Sequence, residues 1–179
     1  IEAAEATGNP GALSFALYAY GYAFGDADPA TALDAQRRGL VIAQESGNRN
    51  TETRIAGGLS RIEAKYGEPL AALGHVAHAV RNFRDAGDTT MIRFPLAVLT
   101  ALFDRLGRHE AAATIAGYAF SPLTSAAYPD LHTAIAHLRE VLGDRVYESR
   151  ARHGQQMTTG AMATYAYDEI DHARAGGRT

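Results

Sequence analysis

The sequence predicts an all-α fold made of repeated helical hairpins, and three observations carry that reading. Glycine-led openings, Gly8-Asn9, Gly47-Asn48 and Gly87-Asp88, recur about 40 residues apart. A second set of breaks, Ala27-Asp28-Pro29, Gly67-Glu68-Pro69 and Gly107-Arg108-His109, interrupts each unit at the same relative place. Between the breaks nearly every apolar period is close to 3.6, and no run of β-branched residues is bounded by hairpin turns. Each unit therefore reads as helix, tight turn, helix. One hairpin alone leaves an apolar face exposed, so neighbours are expected to stack in a right-handed superhelix with a concave surface, an architecture suited to binding rather than catalysis.

The first seven residues read as the last turns of a helix begun upstream, so the chain is expected to be a fragment of a longer protein. Pro10 fits the first position of a helix over about 10–25, and Pro29 restarts the chain for a helix over about 29–46. Helices are then predicted over 48–66, 68–86, 89–106 and 108–120. Glycine at each helix end is expected to take the left-handed C′ position, and Pro95 should kink its helix or delay its start. Ser121-Pro122 breaks the pattern. Three shorter segments follow, 129–142, 144–153 and 158–174, with Asp144 expected as an N-cap. Leu131, Ile135, Leu138 and Leu142 line one face of the first, and Met162, Ala166, Ile170 and Ala173 one face of the third. These segments serve as the cap a terminal array needs, while the final residues 175–179 should fray. Residues 1–125 are thus read as three hairpins with a partial preceding helix, and 126–179 as capping helices of the same structural unit.

Small residues recur where paired helices must approach closely. Ala32, Ala72 and Ala112 form one row, and Gly39, Ala79 and Ala119 a second row seven residues on, two turns away on the same face. Leu33 and Leu73, then Leu40, Val80 and Phe120, fall beside them. With Leu59 and Leu99 in the first helices and the turn glycines Gly67 and Gly107, these registers resemble the tetratricopeptide repeat over residues 8–120. The chain departs from that family in its longer period and in placing Ala16, Ala56 and Leu96 where the family has an aromatic residue. The stretches VLGDRVY at 141–147, QMTTGAMATY at 156–165 and YDEIDHAR at 167–174 are similar to the ends of large actinobacterial signalling proteins. In that group a signal-transduction ATPase is joined to a nucleotide-cyclase-like or DNA-binding module and to a helical-repeat region. The resemblance implies a sensor or partner-docking segment and transfers neither ATPase nor cyclase activity, since no residue here matches those motifs.

Composition narrows the function classes. There is no cysteine, which excludes disulfides, thiolate catalysis and sulfur-ligated zinc. A formal net charge of −3 argues against domain-wide attraction to nucleic acid or anionic lipid, and no apolar run is long enough to span a membrane. A cytoplasmic protein without cofactor is expected. Gly21 and Gly25 lack the context of a phosphate loop and read as close-packing residues. His75 and His78 sit on adjacent turns without a third ligand at metal spacing and read as a surface pair, and His132 and His137 as incidental. No metal site is expected. No nucleophile elbow or oxyanion loop is present, so an enzyme is not expected, and Asp26 and Asp28 read as turn and capping residues.

In an array of this kind the concave row lies on the first helix of each hairpin. Ser14, Leu17, Gly21 and Phe24 form it in the first unit, Arg54, Gly57, Arg61 and Ala64 with Lys65 in the second, and Phe94, Ala97, Ala101 and Asp104 with Arg105 in the third. Separations of 7 and 4 put Arg54, Arg61 and Lys65 on one side of a helix. Flanked by Phe24 and Phe94, with Tyr18 as a further ligand-facing aromatic, they would suit an acidic peptide. The competing reading is a solvated face whose arginines pair with Glu52 and Glu63. Two functions stay open: a non-enzymatic scaffold that docks a peptide or protein, including other domains of the same parent chain, and a small-molecule effector domain that encloses a metabolite in an apolar pocket.

Overall fold

A computed structural model describes residues 1–176, and those residues form helices without strands. In chain order the helices are α1 (Glu2–Ala6), α2 (Pro10–Phe24), α3 (Pro29–Glu45), α4 (Arg49–Tyr66), α5 (Pro69–Asp85), α6 (Arg93–Arg105), α7 (His109–Ala119), α8 (Pro122–Ala127), α9 (Asp130–Leu142), α10 (Asp144–Gln155) and α11 (Thr159–Gly176). The chain divides into two compact units, Ile1–Ala79 and Val80–Thr179. The division falls within α5.

In the first unit α2 packs on α3, α3 on α4, and α2 on α4. The connection 25–28 is short, so α2 and α3 form an antiparallel hairpin. Asn9, Asp28 and Asn48 cap the starts of α2, α3 and α4 by accepting backbone N–H groups, with Pro10 and Pro29 just inside. Ala43, Ile55 and Leu59 centre the core, and Tyr18, Leu33 and Leu40 pack against it half-buried. Gln36 on α3 is fully buried, and its amide lies against Gly21 of α2 and Gly58 of α4, where a Cβ on either glycine would collide with it. Neither the nitrogen nor the oxygen of that amide has a hydrogen-bond partner.

In the second unit α6, α7 and α9 pack on one another, and α10 packs on α7 and α9. Gly117 of α7 faces the Ala151 carbonyl of α10, and Gly154 of α10 faces the Thr114 carbonyl of α7, so the two backbones themselves touch. A Cβ at either position would overlap a main-chain oxygen. Leu96, Leu99, Leu102, Phe103, Ile115, Leu131 and Leu138 are fully buried in this unit.

The expected small-residue rows are buried throughout: Ala32, Ala72, Ala112, Gly39, Ala79 and Ala119. Phe120 instead is about half exposed, because α7 ends at Ala119 and its backbone turns extended. Gly47, Gly87 and Gly107 adopt positive φ after their helices, each followed by a residue whose N–H reaches back five positions, to Ala43, Phe83 and Phe103 respectively. Gly25 and Gly67 do not take the left-handed conformation; Gly25 remains helical in φ and ψ and Gly67 has φ −122° and ψ −147°. Pro95 delays the start of α6 to Arg93 and occupies its first turn. Asp144 is the first residue of α10 and not its cap, which is Gly143 at φ 75°. The break at Ser121 contains α8, held by a capping box between Ser121 and Thr124. Ala175 and Gly176 remain helical, and the other residues expected to fray, 177–179, lie outside the described residues.

Candidate functional site

The sequence-selected cations of the first unit meet the aromatic face of α2. Aromatic residues at i, i+3 and i+7 share one side of a helix, and Phe15, Tyr18 and Tyr22 form a continuous stripe, with ring centroids 5.9 and 6.2 Å apart. Phe15 is 52% exposed and Tyr22 55%, so the stripe faces solvent at both ends while Tyr18 leans on the core. Tyr20 and Phe24 form a second pair at 4.8 Å, with Phe24 exposed.

Arg61 on α4 reaches this stripe. Its guanidinium lies 5.8 Å from the Tyr22 ring centroid and donates to the Tyr22 carbonyl at 3.4 Å and to Asp26 at 3.2 Å. Lys65, one turn on, donates to the other Asp26 oxygen at 3.1 Å, and the Tyr66 hydroxyl donates to that same oxygen at 2.9 Å. Partial burial would raise the Asp26 pKa, but the hydrogen bonds from Lys65 and Tyr66 and the charges of Arg61 and Lys65 outweigh it and hold the carboxyl below its ordinary range. Arg54, two turns before Arg61, is exposed and donates to Asn50 at 2.9 Å. Arg61 and Lys65, joined by the Asp26 carboxylate, thus meet the stripe at its Tyr22 end, and Arg54 is exposed earlier on the same helix.

Asp26 therefore clamps two members of the cationic row, and Glu52 and Glu63 are engaged elsewhere. Glu63, almost fully buried, accepts from Arg37 at 3.1 Å, and His75 approaches its second oxygen at 3.4 Å without hydrogen-bond geometry. Glu52 accepts from Gln44 and lies 3.0 Å from His78. The two histidines are thus half-buried acid contacts and not a free surface pair. Burial is the main cause that depresses the His75 pKa, with the Glu63 charge opposing and His78 and Arg37 assisting, so the ring is neutral at neutral pH.

The remaining row members separate. Ser14, Leu17 and Gly21 are buried in the core between helices, because α2 turns that side toward α3 and α4. Glycine at 21 lies inside a helix against Gln36, so it forms no phosphate loop. Phe94 is half-buried and Arg105 exposed on α6, both in the second unit, where Ala97 is core. Sequence reasoning did not select Phe15 or Tyr22; their i, i+3, i+7 spacing with Tyr18 was the available signal.

The second unit holds an open cleft of about 560 Å³ lined by Arg108, His109, Glu110, Arg150, Tyr165 and Glu169 among others. Its arginines are paired across the walls, Arg108 with Glu169 and Arg150 with Glu110. Burial raises the Tyr165 pKa and keeps its phenol neutral. The lining is charged and self-neutralised, unlike the enclosed apolar pocket expected of a metabolite receptor. No described helix is long and apolar enough to cross a membrane. Comparisons with protein-family models, curated proteins and solved structures returned no match to the chain.

Proposed function

We propose that this chain is a non-enzymatic interaction segment that docks an acidic peptide or protein on the α2–α4 face of its first unit, as part of a larger bacterial signalling or transcriptional regulator. The observation that carries the reading is the aromatic stripe of Phe15, Tyr18 and Tyr22, exposed at both ends and met at Tyr22 by Arg61, with Lys65 beside Arg61 on Asp26 and Arg54 exposed on the same helix. Tyrosine and arginine are the residue types that concentrate binding energy at protein interfaces, because each buries large area and keeps a polar end. The cations add partner choice and association rate, since an acidic partner meets a complementary potential. Tetratricopeptide-like stacking of the hairpins belongs to the same reading and is supported by the helix–turn–helix order, the buried small-residue rows and the positive-φ glycines at Gly8, Gly47 and Gly87.

Panning a displayed random-peptide library against the chain tests the reading. Acidic sequences with one or two large apolar anchors are expected, with binding weakened by Tyr22→Ala and by Arg54→Glu and reduced by added salt as exposed charges are screened. Enrichment of basic or purely polar peptides, or binding indifferent to both substitutions, would reject it.

A further inference from the structure

We propose that Asp104, His109 and His137 in the second unit form a binding site for a transition-metal dication, with zinc as the fitting example. The three come from three mutually packed helices. Asp104 lies in the last turn of α6, and Gly107, at φ 72°, turns the chain so that His109 is the first residue of α7. His137 projects from α9. Its Nδ1 lies 2.9 and 3.0 Å from the two Asp104 carboxylate oxygens, and His109 Nε2 lies 4.0 Å from Oδ1. One donor atom from each residue is within 4.8 Å of the other two. The imidazoles meet edge to face, with centroids 5.8 Å apart.

Metal–nitrogen and metal–oxygen bonds of about 2.0–2.2 Å at tetrahedral angles place donor atoms about 3.3 Å apart. The three donor atoms, all within 4.8 Å of one another, stand within about 1.5 Å of that spacing. Two imidazoles and a carboxylate suit zinc, nickel or copper better than magnesium or calcium, which take all-oxygen sets. Three protein ligands leave a fourth position for water. An ordinary Asp–His pair accounts for Asp104 and His137 but leaves His109 unexplained: among the described residues its ring faces the pair without hydrogen-bonding to it. Asp104 is mostly buried, whereas His137 is half exposed and gives solvent access. Binding through His137 Nδ1 takes the ring as its Nε2–H tautomer, so that the metal replaces the Asp104 contact at Nδ1 and the imidazole stays neutral with its one proton on the solvent-side nitrogen.

The test is calorimetric titration of the chelator-stripped 179-residue chain with zinc chloride, together with its thermal unfolding with and without the metal. One saturable site per chain and a raised midpoint are expected. Both should be lost in His137→Gln and in His109→Gln. His132→Gln should retain both, because His132 sits apart beside Ser125 and Phe120. Helical dichroism of the metal-free variants shows that they are folded, and the partly exposed position of His137 makes that variant decisive if His109→Gln unfolds. Absence of saturable zinc binding in the parent chain, or binding that survives His137→Gln, would overturn the site.

Discussion

The two units use glycine at helix contacts for different purposes, and the difference sets how each tolerates change. In the first unit Gly21 and Gly58 make room for a side chain, the buried amide of Gln36. In the second, Gly117 and Gly154 make room for a neighbouring backbone, so α7 and α10 touch main chain to main chain. A flexible amide can swing away from an added methyl group. A carbonyl inside a helix can move only if the helix moves with it. Small residues on a helix face thus carry one sequence signature and two mechanical meanings.

Substitutions can break this contrast or sharpen it. Gly154→Ala should cost about 3 kcal/mol or more, because the new Cβ overlaps the Thr114 carbonyl and forces α7 and α10 apart. Denaturant unfolding measures it, and a near-neutral result would remove the distinction between the units. Gln36→Met should instead stabilise the first unit by about 1 kcal/mol, since it keeps the length of the side chain and deletes two buried polar atoms without partners. A loss of stability there would show that the amide is satisfied in solution. Gly58→Ala should fall within about 1 kcal/mol of the parent, the crowding of Gln36 being offset by the gain in helix propensity.

The smallest expected effect is one of pH. His75 is held below its ordinary value of 6.5, so the unfolded chain takes up the proton first as pH falls. Its contribution is complete above about pH 6.5 and is lost as pH falls through the lower folded value. Urea midpoints between neutral and mildly acidic pH should decline less steeply for His75→Gln than for the parent; parallel declines would assign the sensitivity to other groups.

Helix positions were legible because they depend on local chemistry: Asn9, Asp28 and Asn48 cap, Pro10 and Pro29 start, and Gly47, Gly87 and Gly107 stop. The burial of Ala32, Ala72 and Ala112 followed from periodicity alone. α8 was not legible, because six residues complete too little of a helical period and its capping box uses Thr124 where the usual pattern has a longer acceptor. The site was legible only in part. The alignment of Arg54, Arg61 and Lys65 on α4 follows from spacing, but their relation to Asp26 and Tyr22 depends on how α2 meets α4, which no local pattern encodes. Asp104, His109 and His137 form no motif in sequence, since 5 and 28 residues separate them and packing alone brings them together.

The proposed docking face is tested most directly by titrating the isotope-labelled chain with an acidic peptide carrying a leucine and a phenylalanine anchor, and following backbone amide shifts. Saturable shifts clustered on Phe15, Tyr18, Tyr22, Arg54, Arg61 and Lys65 are the predicted result. Shifts confined to the charged cleft around Arg108 and Arg150, or none that saturate, would contradict it.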